Sequence, residues 1–133
     1  MRPMPGPGMN MPRVDGVKLD PLVAAKDDSK PLISKLLAVP AFKERYLSYV
    51  RDIADKHLDW AKLGPISERY QKLIEPAVRE ETRALDTTEA FENSLEKDAE
   101  GRGGFGRISI GLKNFADQRR EYLLNYKETA APK

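Results

Sequence analysis

Few residues in this chain have the types and spacing that chemistry requires. His57 is the only histidine and there is no cysteine, which removes thiol catalysis, disulfides and Cys-ligated zinc together. A histidine base needs an orienting partner and a pocket, and a metal needs several ligands. None is spaced around His57, which falls in the series Phe42, Tyr46, Val50, Ile53, His57 and is read as a packed, hydrogen-bonded residue at a helix end. Gly101, Gly103 and Gly106 match G-x-G-x-x-G. In a dinucleotide fold that pattern follows a buried strand, whereas here a charged, helix-like segment precedes it, and a kinase glycine loop would have to join two strands. The same GRGGFGR run resembles one RNA-binding unit, with Arg102, Phe105 and Arg107 as contacts. A single unit in a nearly neutral chain is read as a flexible linker instead.

The remaining polar and aromatic groupings also have plain structural readings. Asp27/Asp28 and Glu80/Glu81 offer hard-cation oxygens, but neighbours on a helix point apart, so Glu80/Glu81 reads as a solvated face. Arg119-Arg120 reads as a solvated face too, and Trp60, Tyr46, Tyr49 and Tyr70 as the core and corner of a helical pair. The sequence therefore assigns no catalytic, cofactor-binding or metal-binding residue.

Composition narrows the class. The 23 basic and 21 acidic residues leave a formal charge of +2 over 133 residues, which argues against bulk electrostatic binding of nucleic acid or an anionic membrane. No apolar run has the length of a membrane span, and no signal peptide is read at the N-terminus. The compartment is left open.

The elements that must position any site are helical. Met1–Arg13 alternates proline and glycine with methionine and is expected to be disordered. Val14–Lys30 is expected to be an extended arm with Val17, Leu19, Leu22 and Val23 as anchors. Residues 31–126 form the helical subdomain. In it, Asp28 or Ser29 caps a short helix opened by Pro31. Pro40 stops that helix and begins a longer one from Ala41 to Leu58. Gly64-Pro65 is expected to mark the corner to an antiparallel partner from Ile66 to Leu85, with Trp60 folded into that corner. Asp86 or Thr87 caps a weak fourth helix reaching about Asp98. A flexible linker spans 101–107, a last helix starts at Ser109, and 127–133 is a polar tail. The fold class is all-α: an antiparallel helical hairpin with shorter packing helices and a disordered Pro/Gly-rich N-terminal arm.

The phrases LLAVPAFKERYL, DWAKLGP and FADQRREYLLN carry a family resemblance. Val14 to Tyr126 resembles the C-terminal helical part of the CotH family of spore-coat-type atypical protein kinases, in bacterial members with a Pro/Gly-rich insertion. That resemblance implies phosphate transfer from ATP with a divalent metal, through a lysine and aspartates upstream of the stretch matched here. No position of this chain takes over a catalytic role from it. It implies a non-catalytic helical fragment that supports a kinase core, with that core or another protein as partner; the near-neutral charge and the lack of a long apolar run argue for no membrane or nucleic-acid partner. The alternatives are part of an active ATP-dependent kinase once joined to an upstream core, or a small protein- or RNA-interaction module. A fragment of this kind should leave large apolar residues uncovered, in Leu19–Leu37 or Ile108–Phe115.

Overall fold

Proline placement and local capping explain most helix starts in the computed structural model, which describes residues 16–84, 86–100 and 108–128. Pro31 opens α1 (Pro31–Leu37) and Pro40 opens α2 (Pro40–His57), each at a first-turn position where no backbone donor is lost. Asp59 caps α3 (Trp60–Glu80), its carboxylate accepting from the Ala61 N–H at 3.1 Å. Thr87 caps α4 (Thr88–Asn93) by accepting from the Ala90 N–H at 3.1 Å. The last helix is α5 (Leu112–Leu124). The body is all-α, apart from a two-residue antiparallel pair, β1 (Ala99–Glu100) with β2 (Ile108–Ser109), in which Ala99 faces Ser109 and Glu100 faces Ile108.

Several boundaries differ from those expected. The first cap is Lys30, with no side-chain bond. Asp27 instead accepts from the Ser29 N–H and hydroxyl and from Lys30 Nζ, and these donors pull its carboxyl down to about 2. The corner after α2 is Leu58-Asp59, and Gly64-Pro65 lies inside α3. Gly64 is buried beneath the Trp60 indole, where a Cβ would come within 3.0 Å of ring atoms. Trp60 therefore packs back on its own first turns. The last helix begins at Leu112 and not Ser109, because Ser109 pairs with Ala99.

That pairing brings Gly111 against the turn after α4. Asp98 Oδ1 accepts from the Gly111 N–H at 2.7 Å and Asn114 Nδ2 at 3.0 Å. The first N–H groups of α5 find the Ser94 and Leu95 carbonyls at 3.0 and 2.8 Å, replacing a side-chain cap. The two donors hold the Asp98 carboxyl below its usual range. Its support is complete above the ordinary carboxylate pKa and is lost as pH falls through the depressed value. A Cβ on Gly111 would meet the Lys97 carbonyl oxygen at 2.9 Å, and backbone cannot swing away as a side chain can. Gly111→Ala is expected to lower stability by about 1–3 kcal/mol, read as an earlier midpoint in urea unfolding; an unchanged midpoint would show that this junction yields freely.

The core is small. Val17, Leu37, Ala54, Ala116 and Leu123 are its buried apolar residues among those described. α2 packs most extensively on α5, next on α1, and touches its sequence neighbour α3 less. Its inward line is Lys43, Tyr46, Leu47, Val50 and Ala54, which keeps Tyr46 and Val50 of the expected Phe42-to-His57 line and turns Phe42, Ile53 and His57 outward. Phe42 and Ile53 are both 51 % exposed. Fully enclosed Ala54 and Ala116 lie on the two helices that pack most closely, and small side chains permit that approach.

The arm is not extended from Asp20 onward. Asp20 accepts from the Leu22 N–H, and N–H to carbonyl bonds three residues apart follow at Val23, Ala25, Asp27 and Lys30. Local carboxylate acceptors and Pro21 favour these successive turns. The expectations for residues 1–15, 85, 101–107 and 129–133 lie outside the described residues.

Candidate functional site

Two features stand out once the helices are placed: a polar clasp that holds the arm, and apolar helix faces that nothing covers. The clasp is built from α2, α5 and Tyr126 just beyond α5. Arg119 Nη1 donates to the Val17 carbonyl at 2.9 Å and the Leu19 carbonyl at 2.6 Å, and its guanidinium carbon lies 5.3 Å from the Tyr122 ring centre. Tyr126 donates its hydroxyl to Asp20 Oδ1 at 2.7 Å, and Tyr46 donates to the Pro21 carbonyl at 2.8 Å. Partial burial, with the Asp20 carboxylate beside it, pushes the Tyr126 phenol well above its ordinary pKa. It therefore stays protonated and able to donate. Lys43 pairs with Glu128, which ties the segment just after α5 to α2.

The uncovered faces lie on α1, α2 and α3. Ile33, Leu36, Leu37, Phe42, Arg45, Tyr46 and Tyr49 line an open apolar groove of ≈ 320 Å³ between α1 and α2. Leu32 is 76 % exposed, and Leu36, Val39, Phe42 and Tyr49 are exposed as well. On α3 the series Ile66, Tyr70, Leu73 and Ile74 is exposed, while Leu63, Ser67, Gln71 and Val78 face the body. Gln71 reaches across to the Phe91 carbonyl at 2.8 Å. The uncovered residues expected in Leu19–Leu37 are present as Val23, Leu32 and Leu36, and Ile110 represents the second stretch. The additional exposed residues on α2 and α3 were not anticipated.

The residues singled out in the sequence do not converge. His57 is exposed, its imidazole making no hydrogen bond among the described residues, because α2 turns Ala54 inward. Glu80 is exposed, and Glu81 accepts from the Arg83 N–H at 2.7 Å. Trp60 is half-buried and Tyr49 and Tyr70 are exposed. The aromatic pair that forms among the described residues is Tyr122 with Tyr126, at 6.0 Å. Arg119 and Arg120 are not a solvated face: Arg119 clasps the arm, and Arg120 Nη2 reaches Asp55 at 3.0 Å. Sequence reasoning missed the Arg119–Tyr126–Asp20 clasp, since its partners lie about a hundred residues apart and two of the acceptors are backbone carbonyls. Among the described residues no three His, Asp or Glu side chains are grouped so that they could hold a metal ion. The divalent metal that accompanies ATP in kinases finds no matching ligand set there.

None of the helices described is long and apolar enough to cross a membrane. No curated protein and no solved structure matches the chain. A family model described as CotH kinase protein matches residues 20–123, a span that runs from the clasped Asp20 to the buried Leu123 and so takes in the arm from Asp20 onward, α1 to α4 and α5 as far as Leu123. The chain belongs to the CotH kinase protein family.

Proposed function

We propose that this chain is a helical supporting part of a CotH-type protein kinase, seated against a phosphate-transferring core and supplying no catalytic residue itself. The observation that carries this reading is the bare apolar face of α1 and α2 around the ≈ 320 Å³ groove. A surface of that character on a small helical body costs solubility unless something covers it. A kinase core fits the family to which the chain belongs. Several ionised side chains of the described residues serve the structure, in the Tyr126–Asp20 clasp, the Asp59 cap and the surface group Glu75–Arg79–Glu92, which is in keeping with a supporting role.

The test combines the 133-residue chain with a purified CotH-type kinase core and measures both binding and ATP-dependent phosphate transfer. The expected result is a stable complex, weakened at least about tenfold by Phe42→Asp, as for loss of an interface anchor. The chain alone is expected to turn over no ATP with magnesium. Binding indifferent to Phe42→Asp and Leu36→Asp, or ATP turnover by the chain alone, would count against the proposal.

A further inference from the structure

The apolar stripe on α3 calls for a separate account, because it lies on a different helix from the groove and has its own charge pattern. Ile66, Tyr70, Leu73 and Ala77 follow one another at four, three and four residues, the spacing of a helix-to-helix seam. Tyr70 is 54 % and Leu73 72 % exposed, so the seam has no partner within the described part of the chain. Lys62 stands at one end of this stripe and Glu80 at the other, both exposed. They are 18 residues apart, counted from 62 to 80. Eighteen residues make about five full turns, which puts both on the same edge of the stripe. Among the described residues neither one is in an ion pair.

A surface with a cation at one end and an anion at the other end of one edge is complementary to itself when reversed. We propose that a second copy of this chain docks antiparallel on α3 about a two-fold axis between Tyr70 and Leu73. Tyr70 of each copy then packs on Leu73 of the other, Ile66 lies opposite Ala77, and Lys62 comes within reach of Glu80 of the second copy. The arrangement is isologous and closed, so it stops at a dimer. It also sets the two helix dipoles head to tail. A seam of one helix is small beside a standard interface, so the dimer forms at micromolar and not nanomolar concentration. It leaves α1 and α2 free for a kinase core, and the two readings can therefore fail separately.

Sedimentation equilibrium of the full chain tests this directly. The expected result is a monomer–dimer equilibrium, with Leu73→Asp raising the dissociation constant at least about tenfold. Leu73 is already exposed, so that variant keeps its fold, which its circular dichroism will report. Lys62→Glu sets like charges against each other and weakens the dimer about three- to tenfold. Adding Glu80→Lys to it restores the pair and the wild-type constant. Because the chain has no cysteine, orientation can be read by cross-linking: Lys62→Cys combined with Glu80→Cys is expected to form an intermolecular disulfide. A chain that remains monomeric at roughly 100 μM, far above the micromolar range expected of so small a seam, would overturn the proposal. So would self-association unaffected by Leu73→Asp, a double charge swap that fails to restore the dimer, or cross-linking by Lys62→Cys alone, which reports a parallel pair.

Discussion

Leu123→Ala is expected to cost about 2–4 kcal/mol, the range for truncating a buried leucine, and so to remove much of the stability of a domain this small. Leu123 is 6 % exposed near the end of α5. It lines the seam where the arm residues Leu19 and Pro21 meet Tyr46 and Val50 of α2. Three pieces of chain thus share one side chain, and alanine would leave a cavity that none can close without losing its other contacts. The thinness of the core magnifies the effect, because no large side chain among the described residues is completely enclosed. Urea unfolding followed by circular dichroism checks it: the midpoint should fall sharply with an unchanged slope. The neighbouring Leu124, 37 % exposed, should tolerate alanine at under about 1 kcal/mol. Equal losses at the two positions would mean that the arm–α2–α5 seam is not the centre of the core.

Arg119→Ala is expected to release the arm. The guanidinium serves two carbonyls of the arm and stacks on Tyr122, and hydrogen bonds from a charged donor stabilise by about 1.5–3 kcal/mol each, without simple additivity. A total loss of about 2–3 kcal/mol is expected. The more telling readout is local. Amide hydrogen exchange should accelerate through residues 16–22 while α2 and α3 keep their protection, because the arm opens as a unit before the helices do. Arg119→Lys should recover part of the protection, since an ammonium on a flexible stem reaches a carbonyl but lacks the planar fork. Exchange in the arm that does not change in Arg119→Ala would show that Tyr46 and Tyr126 hold it unaided.

Local signals in the chain were read correctly where the physics is local. Pro31 and Pro40 start helices because a residue without an N–H loses nothing there, and Thr87 caps because its hydroxyl needs only the nearby Ala90 N–H. The Gly64-Pro65 signal misled because its meaning depends on Trp60. A glycine that reads as a helix stop is needed instead as room for an indole one turn earlier. His57 misled for a related reason: α2 has two adjacent lines of apolar residues, and periodicity alone cannot say which one meets a partner.

By itself, then, the sequence determined the all-α class, the order of the helices, the starts of α1, α2 and α4, the absence of thiol chemistry and the family resemblance that the family match supports. These depend on residue types and on spacings within a few turns. Tertiary structure alone decided that α2 packs mainly on α5, that Arg119 and Tyr126 clasp Val17–Asp20, and that the faces of α1, α2 and α3 rich in leucine, isoleucine and aromatics stay bare. Those outcomes rest on contacts between residues up to about a hundred positions apart. Which of two adjacent apolar lines is buried is a competition between whole-helix packings, and no local spacing records its result.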